Sequence, residues 1–162
     1  MHTVLRTLIV RDLASLRDQI AAYPDEESLW KLPPGISNSG GTLALHLAGN
    51  LEHFFGSVLA GTGYVRKRDE EFSRRNVPAD ELLRGVDAAE KAVLAGLETI
   101  EGRLPEEAYP VEIGGGRHSH ALLLTHLATH LSYHLGQVDY HRRLVTGRNE
   151  PVRSLSIPRP DL

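Results

Sequence analysis

The sequence contains no cysteine. A disulfide framework, thiolate metal ligands and a thiol nucleophile from the chain itself are thereby excluded. Any metal site has to be assembled from histidine and carboxylate side chains. Charge of one sign is also missing: 18 Lys and Arg stand against 21 Asp and Glu, a net charge of -3. Aromatic residues make up only 6% of the chain. A general nucleic-acid binder is expected to be basic, with aromatics interleaved on its basic face, so neither count favours a nucleic-acid partner. Long hydrophobic runs are absent. No stretch approaches the roughly 18 to 20 apolar residues of a membrane span. The short apolar run at the N-terminus is interrupted by Arg6, Arg11 and Asp12, and no small-residue cleavage site follows it. The expectation is a cytoplasmic protein with no membrane segment. A phosphate loop is missing too, because Gly114–Gly116 fits neither of the glycine spacings that cradle phosphates.

What remains is the composition of an ordinary folded domain. The 162 residues are 41% hydrophobic, enough to fill one core, and residues 1–162 are expected to form a single domain. Four amphipathic stretches have helical spacing. Residues 2–23 carry Val4, Leu5, Leu8, Ile9, Leu13, Leu16 and Ile20, and Pro24 ends the pattern. Residues 24–41 form a connector in which Trp30 is expected to anchor onto the core. Residues 41–61 are the second helix, with Ser39 or Thr42 as its cap and Gly61 and Gly63 beyond its end. Residues 62–78, including RKRDEEFSRR, are expected to be a solvated loop. Residues 79–102 are the third helix. Residues 119–146 are the fourth, capped by Ser119 and closed by Gly147. The tail, 148–162, is expected to lie over the surface or against a partner subunit. The fold class is therefore all-α, a four-helix bundle with long connections between helices.

The nine histidines are not scattered evenly. His126, His130 and His134 sit four residues apart on the fourth helix. Each such step turns about 40° around the axis, so all three share one side and neighbours can chelate one ion. His130 and His134 lie nearest the apolar stripe of Leu124, Leu127, Leu131, Leu135 and Val138. His126 lies further toward solvent. On the second helix His46, Asn50 and His53 form a similar polar strip beside Leu43, Leu47, Leu51 and Phe54. His46 and His53 are about 10 Å apart along the axis, so one ion would take one of them. Asn50 and Gln137 lie on the same strips and are candidates to orient a ligand or to bond between helices, and Tyr133 and Tyr140 stay undecided. His118 and His120 are expected at the surface or in caps. His141, beside Arg142 and Arg143, is expected to sit as a cation at the helix C-terminus.

The run HLAGNLEHF (46–54) after SNSGGTLAL, followed by HLSYHLGQVDYHRR (130–143), resembles the DinB/YfiT-like superfamily over essentially the whole chain. The resemblance implies a four-helix bundle, often a homodimer, with a divalent metal on three histidines. By position these are His46, His130 and His134, and His53 is not among them. The implied ion is nickel or zinc. Members with known activities are metal-dependent transferases or isomerases that use low-molecular-weight thiols such as bacillithiol or mycothiol.

Three neutral imidazoles leave the full charge of a divalent ion available to activate a bound thiol or water. With no cysteine in the chain, a reacting sulfur has to arrive with a cosubstrate. The first expectation is therefore attack of an external thiolate on a small electrophile. Hydrolysis by metal-bound water, or a non-catalytic metal- or ligand-binding role under stress, are the alternatives. Hydrolysis needs a general base. No HExxH motif is present, no carboxylate has a clear place on either histidine strip, and Asp139 points away from His130.

Overall fold

The first apolar stripe forms a helix where its spacing predicts one. In the computed structural model, which describes residues 1–153, α1 spans His2–Ala21. Tyr23 and Pro24 turn the chain out of it, and Tyr23 packs inward. The connector that follows holds a short helix, α2 (Glu26–Trp30), which periodicity did not suggest. Asp25 caps α2 by accepting from the Ser28 N–H at 2.7 Å. Trp30 is buried as expected, and its indole N–H donates to the Val77 carbonyl at 3.1 Å. Gly41 lies against the indole, where a Cβ would come within 2.5 Å of a ring carbon.

Helix α3 covers Gly40–Leu51. Ser39, not Thr42, is its cap, its hydroxyl accepting from the Thr42 N–H at 3.2 Å. The helix then continues with π-helical hydrogen bonding through Glu52–Leu59. This widened stretch passes close to the next long helix: a Cβ on Gly96 would stand 2.5 Å from the Phe55 carbonyl oxygen. The charged segment expected to be a solvated loop instead contains α4, Arg68–Ser73, and turns Glu71 inward. Helices α5 (Ala79–Thr99) and α6 (His120–Thr146) fall close to their expected limits. Ser119 caps α6 through the Leu122 N–H. Gly147 closes it at φ +66°, a left-handed backbone that glycine adopts freely, and its N–H returns to the Arg143 carbonyl at 2.9 Å.

Among the described residues there is no strand, only two isolated bridges, Ala108 with Ser119 and Ile113 with Gly116. The second closes the tight turn at Gly114–Gly116. Helix α1 packs on α5 and α6, and α3 with its π-helical continuation packs on the same two helices. Their apolar stripes meet in one core. Leu13, Leu16, Leu47, Phe55, Val86, Val93, Leu124, Leu131 and Val138 are fully buried there. Each buried side chain of this size contributes roughly 1.5–3 kcal/mol. No described helix is long and apolar enough to cross a membrane. Of the tail, 154–162 lies outside the described residues.

Candidate metal centre

The groove between α3 and α6 is where the histidine strips meet. Leu43, one turn before His46, shares a cavity with Gln137 and Tyr140, which follow His134. The two helices therefore run in opposite directions past each other. That arrangement brings His46 of α3 opposite both His130 and His134 of α6. The Nε2 atoms of His46 and His130 are 3.2 Å apart, and one ring nitrogen from each of the three histidines lies within 4.8 Å of the other two. The ring centroids of His130 and His134 are 4.5 Å apart, as four-residue spacing on a helix requires.

Two of the three rings are held by a second side chain. The Nδ1 of His46 is 2.9 Å from Glu71 Oε2, and both groups are buried. Glu71 is itself fixed by Arg66, whose Nε donates to Oε1 at 2.7 Å and whose second nitrogen donates to Oε2 at 2.9 Å. With Nδ1–H directed at a carboxylate, the Nε2 lone pair of His46 is left for an ion, as in a carboxylate–histidine–metal triad. Gln137 accepts from Nδ1 of His134 at 2.6 Å and fixes its ring in the same sense. The Nδ1 of His130 is buried with no partner. Gly49 completes the arrangement from below, since a Cβ there would stand 2.5 Å from Glu71 Oε1. A side chain there would force the carboxylate to shift from its place beside His46.

The electrostatics suit metal ligation. Burial, reinforced by the neighbouring His134 and His46, lowers the pKa of His130 to about 4. Burial lowers His134 as well, against the pull of its bond to Gln137. Both are neutral near pH 7, the state a ligand needs. Burial would raise the Glu71 carboxyl, but the hydrogen bonds from His46 and Arg66, with the charge of Arg66, outweigh it and hold the group ionised. Three imidazole nitrogens backed by a carboxylate and an amide make a donor set of the kind that divalent transition metals take.

The remaining expected residues separate clearly. His53 stays outside the cluster, its Nδ1 buried without a partner. His126 is exposed, a neighbour whose ring lies 5.9 Å from that of His130. Asn50 is buried and its side-chain oxygen has no partner, so it does not orient a ligand. Tyr133 and Tyr140 are exposed, Tyr133 lying with its ring centroid 5.1 Å from that of His134. Asp139 faces away, bonded to Gln19, Arg142 and Arg143. His118 bonds the Ile113 carbonyl at the glycine turn.

Three expectations are corrected. His120 is buried against Tyr109, not at the surface, because the bridge between Ala108 and Ser119 folds the preceding segment over it. His141 is not a C-terminal cation. It is buried, burial lowers its pKa, and its nitrogens contact the Tyr23 hydroxyl at 2.7 Å and the Lys31 carbonyl at 2.8 Å. Finally, a carboxylate does reach the histidines. Glu71 and Arg66 come from the charged segment, and Phe72 beside them packs its ring 4.8 Å from that of His46. The signal for them was Gly49, a glycine inside a helix on the turn after His46.

No curated protein and no solved structure matches the chain. One family model does, over residues 4–161, and its description is "Protein of unknown function (DUF1572)". With that match running almost end to end, the chain belongs to the DUF1572 family.

Proposed function

We propose that this protein is a DinB-like four-helix bundle that binds nickel or zinc on His46, His130 and His134. In this reading it is a thiol (S-)transferase or an isomerase that acts on small electrophiles with an external low-molecular-weight thiol. The observation that carries the proposal is the convergence of three imidazoles with one of them locked onto a buried, ionised carboxylate. Surface histidines gain nothing from such a support, whereas a metal ligand gains a fixed tautomer and greater basicity. When bound, an ion held by three neutral ligands lowers the proton affinity of a coordinated thiol.

The chain's own residues have defined tasks in this scheme. Glu71, pinned by Arg66, keeps His46 with Nδ1 protonated and Nε2 free. Gln137 does the same for His134. Phe72 shields one flank of His46 from water. The protein supplies no sulfur nucleophile, having no cysteine. Glu71 is a poor general base for hydrolysis, since Arg66 and His46 occupy both its oxygens and hold it ionised. This favours thiol transfer over metal-water hydrolysis. A homodimer belongs to the same reading through the family resemblance and is tested by sedimentation equilibrium.

The decisive experiment loads the purified protein with nickel or zinc and assays a panel of electrophiles with and without added thiols. The expected result is about one ion per chain, lost in His46→Ala, and turnover only with a thiol. Stoichiometric metal surviving that substitution would overturn the site. Turnover without thiol would replace transfer by hydrolysis.

A further inference from the structure

A cavity of about 500 Å³ opens on the α3–α6 groove, one turn from the histidine centre. Its size lies in the range of small-molecule sites, roughly 300–1,000 Å³. Two residues join it to the centre. Gln137 lines the cavity and holds His134, and Leu43 lines it three residues, about 4.5 Å along the axis, before His46. Ile36, Tyr140 and Leu144 supply the rest of its apolar wall and are all exposed. None of the described residues lining it is Asp, Glu, Lys or Arg.

The wall is already in place. The 31–38 loop is tied to α6 by the bond from His141 to the Lys31 carbonyl, and Tyr23 braces His141 from the other side. Within the loop, Ile36 N–H returns to the Pro33 carbonyl at 3.0 Å and Gly35 makes the turn at φ +82°. A second cavity, of about 410 Å³, has the opposite character. It lies behind Glu71 among charged side chains that pair with one another, Arg74 with Glu81 and Lys67 with Glu70. Its uncharged lining, Ala44, Leu45, Ala48 and Gly49 among it, is interleaved with seven Asp/Glu/Lys/Arg side chains, unlike the first cavity.

We propose that the uncharged cavity holds the carbon-rich, uncharged body of the substrate, a planar or aliphatic skeleton whose polar end reaches the three histidines. This inference rests on the metal-binding reading above. It assigns the cavity to the electrophile, because charged groups of a thiol cosubstrate would find no Asp, Glu, Lys or Arg to pair with among these walls, whose polar members are uncharged side chains such as Ser37, Asn38 and Gln137. Specificity then resides in Ile36, Tyr140 and Leu144, which touch none of the ligand histidines.

The test uses two chelators with the same metal-binding head, acetohydroxamic acid and 2-naphthohydroxamic acid. Affinities are measured by calorimetry on the metal-loaded full-length protein, on Leu144→Glu and on Ile36→Glu. Both substitutions are at exposed positions, and thermal melts check the fold. The naphthyl group should improve binding to the unsubstituted protein by about ten-fold or more, since a second contact adds to the first when both can be engaged. Each substitution should remove that gain and leave acetohydroxamic acid unaffected. A naphthyl gain that is absent in the unsubstituted protein, or that persists in both variants, overturns the inference while leaving the metal site standing. No stoichiometric metal, or no binding of acetohydroxamic acid, overturns the metal-binding reading itself, and the cavity assignment falls with it. No gain, together with a dimer that Leu144→Glu splits, assigns the face to a second copy of the chain instead.

Discussion

Helix α6 carries polar side chains into the protein on two sides, and the two sides are finished differently. Toward α1, Ser132 bonds Asp12, which also accepts from Arg11 at 2.8 Å. Two to three turns further on, Gln19 donates to Asp139 at 3.0 Å and accepts from Arg142 at 2.7 Å. Arg142, one of the largest fully buried side chains, has further acceptors in Asp139 and the Glu150 carbonyl. Donors and acceptors are matched, as buried polar groups in a finished structure are. Toward α3, one ring nitrogen from each of three histidines lies within 4.8 Å of the other two, and the Nδ1 of His130 is buried with no partner. The side facing α1 is complete as protein. The side facing α3 is incomplete by the same measure. Burial of polar groups alone would not have told the two apart; the matching of partners does.

The comparison is broken most severely by His130→Ala. Metal content, measured by elemental analysis after loading and desalting, should fall from about one ion per chain to under a tenth of that. The fold should survive, because the one hydrogen bond this ring makes among the described residues is to His46. Arg142→Ala tests the opposite side. Removing one member of a buried, charged network leaves its partners unmatched and should cost about 3 kcal/mol in denaturant unfolding. Metal content should be unchanged at temperatures where the variant is folded. Loss of metal in Arg142→Ala, or a large stability loss without metal loss in His130→Ala, would erase the distinction.

Smaller effects sharpen it. Glu71→Gln should weaken metal binding by about 10- to 100-fold in a chelator competition, the usual cost of losing an outer-shell partner. Gly49→Ala should act in the same direction by displacing the carboxylate, although it touches no histidine. The smallest effect is in pH dependence. His141 is held neutral by burial, its folded pKa below 6.5. The unfolded chain therefore binds the proton more readily, and stability falls as pH drops from about 6.5 through the folded value. His141→Asn should flatten the acid side of the stability curve by at most about 1.4 kcal/mol per pH unit, read from denaturant melts at several pH values.

Much of this was legible in one dimension. The stripes of α1, α5 and α6, the cap at Ser119, the stop at Gly147 and the inward pair His130 and His134 all follow from local spacing, while the cap of α3 is left open between Ser39 and Thr42. Helical periodicity is a relation between residues three and four apart, so it reports well on anything built within one helix. It is silent on Glu71, which sits in a charged run with no period and reaches His46 only after the chain has crossed from α3 to α4. It also misplaced His120 and His141. Their burial is decided by what packs over them, the 108–119 bridge and the Tyr23 and Lys31 contacts, all distant in sequence. His53 could be placed by angle only if the helix kept its pitch, which it does not beyond Leu51.

That change of pitch divides one continuous helix into two independently phased halves. The first half, through Leu51, sets the aim of His46 and leaves the gap at Gly49. The second half, from Glu52, sets the approach of Phe55 to Gly96 on α5. A one-residue deletion within 52–59 would rotate the second half by about 100° relative to the first. The histidine aim would be kept, and the seam with α5 would carry the whole disturbance. Length variation in this segment can therefore be absorbed or rejected on packing grounds alone, without retuning the chemistry one turn away.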